Sequence, residues 1–129
     1  MAIAALVIVT HKYDFSNQII GYFQALNPLN GFNLTVLPVG LDEQSEPELA
    51  LKVERELIRD TKIKHVFIFA DLGQPSKFAQ RITIANPAIR ITYARGNLIE
   101  NAYLAYIMLN TKAPLEAVMM VIAKNIRQL

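Results

Sequence analysis

The sequence predicts an α/β fold, a doubly wound and mainly parallel sheet of about four strands with helices on both faces, in one domain. Three observations carry this expectation. Short apolar or β-branched runs alternate with one-faced helical patterns along the chain, as successive βα units require. The runs are almost continuously hydrophobic, which suits strands covered on both faces. The 129 residues show no internal repeat, low-complexity tract or break in composition, and a chain of this size buries about two-thirds of its unfolded surface around one core.

The first strand is Ala4 to Thr10, ending at the polar step Thr10-His11-Lys12. Phe15, Ile19, Tyr22, Phe23 and Leu26 then recur at helical spacing. Asn33 to Val39 reads as the second strand. Leu49, Val53 and Leu57 among Lys52, Glu54, Arg55, Glu56 and Arg59 predict a one-faced helix over Glu46 to Arg59. His65 to Ala70 is the third strand and Pro75 to Ile84 the third helix, with Pro47 and Pro75 at first-turn positions where a missing amide donor costs nothing. Ile89 to Tyr93 is the fourth strand.

Two consecutive helices follow, Asn97 to Asn110 and Pro114 to Gln128, separated by Thr111-Lys112-Ala113. The first is apolar around its whole circumference from Ala102 to Leu109, so it lies under its neighbour or meets a second subunit. A homodimer is the expectation, in keeping with an apolar share of 53%, above the usual 45–50% or so.

Composition removes several classes of function. The formal charge is +2, with Lys and Arg scattered singly among Asp and Glu, so no stripe suited to a phosphate backbone appears and nucleic acid is not an expected partner. Cysteine is absent, which rules out disulfides, thiolate metal sites and a cysteine nucleophile, and fits a cytoplasmic protein. The longest apolar stretches, Met1 to Val9 and Ala102 to Leu109, fall far short of the roughly 18 residues of a membrane span. Met1 to Val9 also lacks the basic start and small-residue cleavage site of a signal peptide.

His11 is the most informative residue. It follows the first strand, and open α/β sheets place their chemistry at the carboxyl ends of strands. As a loop residue it needs no function, but a neutral imidazole at this edge is also a competent nucleophile once an acceptor holds its other nitrogen. Asp71, directly after Val66-Phe67-Ile68-Phe69-Ala70, is the candidate acceptor if strands one and three are neighbours; its alternative is a turn residue before Leu72-Gly73. The helix start near Asp14 and the turn Gly73-Gln74-Pro75-Ser76 bring two positive helix ends to one crevice, which suits a phosphoryl group. Lys12, Thr10 and Ser76 add a charge and two hydroxyls, each of which also has an ordinary solvated, strand-end or capping role.

Other templates fail on named residues. The turn His11-Lys12-Tyr13-Asp14 has neither the glycines of a phosphate-binding loop nor a dinucleotide fingerprint. A receiver domain needs paired acidic residues after strand one to hold magnesium, where this chain has Thr10-His11. With two histidines and no cysteine, neither a metal site nor another cofactor is expected, and His65, between Lys62, Lys64 and a strand, reads as a surface residue.

Leu6-Val7-Ile8-Val9-Thr10-His11, the turn Asp71-Leu72-Gly73, Leu98-Ile99-Glu100-Asn101-Ala102 and Pro114-Leu115-Glu116-Ala117-Val118 together resemble the phosphotransfer subunit of phosphoenolpyruvate-dependent dihydroxyacetone kinase. That subunit belongs to the mannose-type IIA group of the sugar phosphotransferase system. The resemblance implies a homodimeric, cytoplasmic α/β domain phosphorylated on His11 by the histidine phosphocarrier protein, with Asp71 orienting the ring; Thr10, Lys12, Gly73 and Ser76, from the reading of the two turns, are the candidates to line the phosphoryl pocket. It implies onward transfer to ADP on the nucleotide-binding kinase subunit, whose ATP phosphorylates dihydroxyacetone on a third subunit. The transporter branch would pass the group to a IIB partner instead, and a non-catalytic regulatory module could share the fold. Two stretches depart from the family pattern. Asp42-Glu43-Gln44-Ser45-Glu46 stands where Gly-Thr-Ser is usual, and Gln74-Pro75-Ser76-Lys77-Phe78 replaces the Ser-Ala and Met-Asn residues that tend to follow Asp-Leu-Gly.

Overall fold

The computed structural model describes residues 3–29, 34–60, 62–94 and 97–127. Four parallel strands, β1 (Ile3–Thr10), β2 (Leu34–Gly40), β3 (Ile63–Ala70) and β4 (Arg90–Ala94), form one sheet in the order β2-β1-β3-β4. The helices are α1 (Tyr13–Leu26), α2 (Glu46–Ile58), α3 (Gln74–Gln80), α4 (Leu98–Asn110) and α5 (Leu115–Arg127). This is the expected doubly wound α/β arrangement. Asn33 and Gln128, expected at element ends, lie outside the described residues.

Side-chain alternation explains the two layers, because successive strand residues point to opposite faces. On one face Leu6 and Ile8 of β1 join Phe67 and Phe69 of β3, and α1, α4 and α5 cover them through Phe23, Tyr106 and Val118. On the other, Val7, Val9, Val66 and Ile68 pack beneath Leu49, Val53 and Leu57 of α2 and Phe78 of α3. β1 and β3 are buried on both sides and form the middle of the sheet.

Local chemistry sets the helix ends. Pro47 and Pro75 occupy first-turn positions of α2 and α3. Asn97 caps α4 by accepting from the Glu100 amide at 3.0 Å. α3 stops at Gln80, short of the expected Ile84. Its last turn tightens into bonds from Arg81 N to Phe78 O and Ile82 N to Ala79 O, and the β-branched run Ile82-Thr83-Ile84 does not extend it.

The apolar circumference of α4 is largely covered by its own chain. Ala102, Ala105, Tyr106 and Leu109 are buried in a cluster with α1, α5 and the sheet, and Leu104 is the exposed member of that stretch. Tyr106 ties α4 to the end of α1, its hydroxyl donating to Asn27 O at 2.6 Å; burial, then the nearby Tyr103, pushes that phenol's pKa up. No helix among the described residues is long and apolar enough to cross a membrane.

The surface assignment of His65 is corrected: the residue is only 1% exposed. β3 begins two residues before His65, and its pairing with β1 jumps from Ile63 to His65, leaving Lys64 as the extra, exposed residue of a bulge. His65 therefore turns into the sheet. Its ring stacks on Phe67 at 4.2 Å and its Nε2 lies 2.6 Å from Thr92 Oγ1 on β4. Burial, then the Arg90 charge, holds its pKa below the ordinary histidine value.

Candidate functional site

The winding direction of the chain reverses between β1 and β3: β2 lies outside β1, and β4 lies outside β3. The crevice beyond the carboxyl ends of such a strand pair is where open α/β sheets bind ligands. His11 follows β1 and Asp71 follows β3, and the Asp71 amide donates to Val9 O at 3.0 Å. The two residues expected to meet thus emerge from neighbouring central strands at the same edge. His11 is exposed and Asp71 half-buried.

Among the described residues no hydrogen bond joins the two side chains. Asp71 Oδ1 accepts from the Leu72 amide at 2.9 Å, which shapes its own turn. The other carboxylate oxygen is the one left to meet the ring. His11 stands in the turn between β1 and α1.

That turn is anchored by buried hydroxyls. Thr10 Oγ1 lies 2.7 Å from Lys12 O and 2.8 Å from Ser16 Oγ, and Ser16 Oγ lies 2.7 Å from Val39 O. Each hydroxyl carries one proton, so two protons serve these three contacts. Thr10 and Ser16 are fully buried. Thr10 thus faces the support of the turn, while Lys12 is exposed as the residue before α1. Gly73 precedes α3 with a φ of 84°, a conformation that favours glycine. Ser76 sits on α3, hydrogen-bonded to Tyr93 and to Gln80.

The loop after β2 closes the third side. Gly40 approaches α1 so tightly that a Cβ there would lie 2.0 Å from Tyr13 N. Asp42 Oδ1 accepts from that same Tyr13 amide at 2.8 Å. Glu43 braces the loop with Oε2 on the Gly40 amide at 2.8 Å and Oε1 on Lys52 Nζ at 2.5 Å. A carboxylate therefore already takes one amide of the α1 start beside His11. Gly40 and Asp42 carry site geometry that sequence reasoning left unassigned; a glycine directly after the β-branched end of a strand, followed by an acidic pair, was the available signal.

Apolar side chains rim the edge. Phe15 is 45% exposed, Ile99 47% and Leu72 83%. Phe15, Ala70, Asp71, Leu72, Leu98 and Ile99 line an open groove of about 520 Å³. Among the described residues no group of three or more His, Asp or Glu side chains converges as a metal site would require.

No protein-family model matches the chain, and no curated protein matches it either. Solved structures do. A protein of unknown function, EF1359, superposes with a TM-score of 0.68 at 20% identity, over 90% of this chain and 89% of its own. A sigma-54 interaction domain protein from Enterococcus faecalis superposes with a TM-score of 0.75 at 13% identity, over 98% of this chain and 93% of its own. At these identities the likeness is one of fold.

Proposed function

We propose that this chain is a cytoplasmic phosphoryl carrier. His11 accepts a phosphoryl group from the histidine phosphocarrier protein and passes it to ADP on the nucleotide-binding subunit of dihydroxyacetone kinase, which then serves the dihydroxyacetone-binding subunit. The observation that carries this reading is the position of His11, exposed at the carboxyl end of central strand β1, with Asp71 directly after the adjacent central strand β3.

In the first step a lone pair on a neutral ring nitrogen of His11 attacks phosphorus. A new N–P bond forms as the donor histidine's N–P bond breaks, and that electron pair returns to the donor ring. The His11 ring gains positive character, and its remaining N–H donates to the free oxygen of Asp71, a charge-assisted bond worth about 1.5–3 kcal/mol. In the second step an oxygen of the ADP β-phosphate attacks the same phosphorus, and the electron pair of the breaking N–P bond restores neutral His11. The apolar rim of Phe15, Leu72 and Ile99 favours protein donors and acceptors over small ones, since exposed apolar clusters mark interaction surfaces. The reading includes a homodimer, which light scattering at micromolar concentration tests against the 14.5 kDa mass of one chain.

Incubation with the phosphorylated carrier should place acid-labile phosphate on His11, and His11→Ala should abolish it. No label across several cognate carriers would refute the reading. Following the label afterwards, to ADP on a kinase subunit or to a transporter IIB domain, fixes the acceptor. The hold of Asp42 on the α1 amide favours a second reading, a non-catalytic regulatory module. It predicts that His11→Ala binds partners as the unchanged protein does, which a pull-down measures.

A further inference from the structure

The charges at the His11 edge are unbalanced. Lys12 and Asp14 flank the start of α1, Asp71 follows β3 at the same sheet edge, and Asp42 reaches in from the loop after β2. Glu43, by contrast, is neutralised by Lys52. Asp42 is exposed and makes no salt bridge among the described residues, yet its position is not loose. Oδ1 is held by Tyr13 N, Leu41 N donates to Thr10 O at 3.0 Å, and Gly40 admits no side chain against α1. Its carboxylate is thereby fixed on the amide of Tyr13, two residues along the chain from His11.

We infer that Asp42 restrains phosphorylation of His11, acting as a positioning residue that holds a negative charge where the incoming phosphoryl group must arrive. This rests on the phosphoryl-carrier reading and names a regulation of that same site. Two residues of chain reach at most about 7 Å and the carboxylate lies 2.8 Å from the Tyr13 amide, so a separation on the order of 8 Å sets the scale of the repulsion. For a dianionic group at that separation in water, the repulsion amounts to roughly a fivefold change in an equilibrium or rate. A partner that neutralises Asp42 or draws the loop aside lifts the restraint, so transfer becomes coupled to docking.

Asp42→Asn separates charge from geometry. Asparagine keeps an oxygen acceptor for the Tyr13 amide and serves as well as aspartate at a helix start. The intact protein and Asp42→Asn are labelled with phosphoramidate, a small donor that needs no partner, at low salt and at about 1 M salt, where the screening length falls to roughly 3 Å. Unchanged melting of Asp42→Asn shows that the cap survives; if it melts lower, the salt response of the intact protein alone decides, rising with salt if the restraint is present.

The expected result is labelling of His11 about fivefold faster in Asp42→Asn at low salt, with the two proteins converging at high salt. A merely structural Asp42 would not give that salt dependence. Equal labelling of His11 in both proteins at low salt overturns the inference and leaves the carrier reading standing. Absence of label from both folded proteins overturns both. Label on Asp42→Asn alone supports the inference in its strongest form.

Discussion

Replacing Gly40 by alanine tests the joint between β2, α1 and the His11 turn. The added methyl would sit 2.0 Å from Tyr13 N, 2.4 Å from Tyr13 Cα and 2.6 Å from Asp42 Oδ1. The first two are backbone atoms, so relief requires the start of α1 to move by more than an ångström. That movement breaks the 2.8 Å bond from Tyr13 N to Asp42. Overpacking of this kind costs about 1–3 kcal/mol and a lost helix cap about 1 kcal/mol, so the destabilisation should be about 3 kcal/mol. Unfolding entropy near 2.1 cal/mol/K per residue over a chain of this length converts each kcal/mol into roughly 4 °C. Thermal unfolding followed by circular dichroism should therefore show Tm lowered by roughly 11 °C. Gly21→Ala is the matched control. It lies on α1 with nothing within 4 Å of its would-be Cβ, and alanine in a helix interior gains about 0.5–1 kcal/mol over glycine. A Gly40→Ala protein melting within about 3 °C of the unchanged one would refute the close approach described here.

Thr10→Val keeps the shape of the side chain and removes the hydroxyl shared by Lys12 and Ser16. Buried groups left without partners cost about 1–3 kcal/mol, so Tm should drop and His11 labelling should slow; a melting temperature unchanged within 1 °C or so contradicts the anchoring role. His65 makes stability depend on pH. Its folded pKa is depressed by burial, then by Arg90, so the unfolded chain takes up a proton first on acidification. Stability from this group is full above the unfolded value of roughly 6.5 and declines as pH falls from there to the lower folded value. Urea melts at several pH values should show a shallower acid slope for His65→Gln, whereas an identical slope would assign the dependence to other groups.

The sheet was legible because its signal is local. β1 and β3 are unbroken apolar runs, and alternate residues of each go to opposite layers, so the sequence pattern and the two cores coincide. The placement of His11 and Asp71 at one edge of the sheet was legible for a related reason: each directly follows its strand, and the two strands are neighbours at the centre. The hold of Asp42 on the start of α1 was not legible, because its bond to Tyr13 joins positions 29 apart and depends on the missing side chain of Gly40. His65 was misread because a bulge displaced Lys64. A strict two-residue period cannot anticipate one extra residue, and lysines on either side imitate an exposed strand end.

The two central strands also determine how the protein loses structure. β1 and β3 are paired on both edges and covered on both faces, so their amides belong to the last part of the molecule to open, whereas the five-residue edge strand β4 opens earlier. His11 and Asp71 hang from that central pair. Native-state opening that releases β4 should therefore leave both residues at the ends of β1 and β3, so that the site persists in partly opened forms and disappears only when the whole domain unfolds.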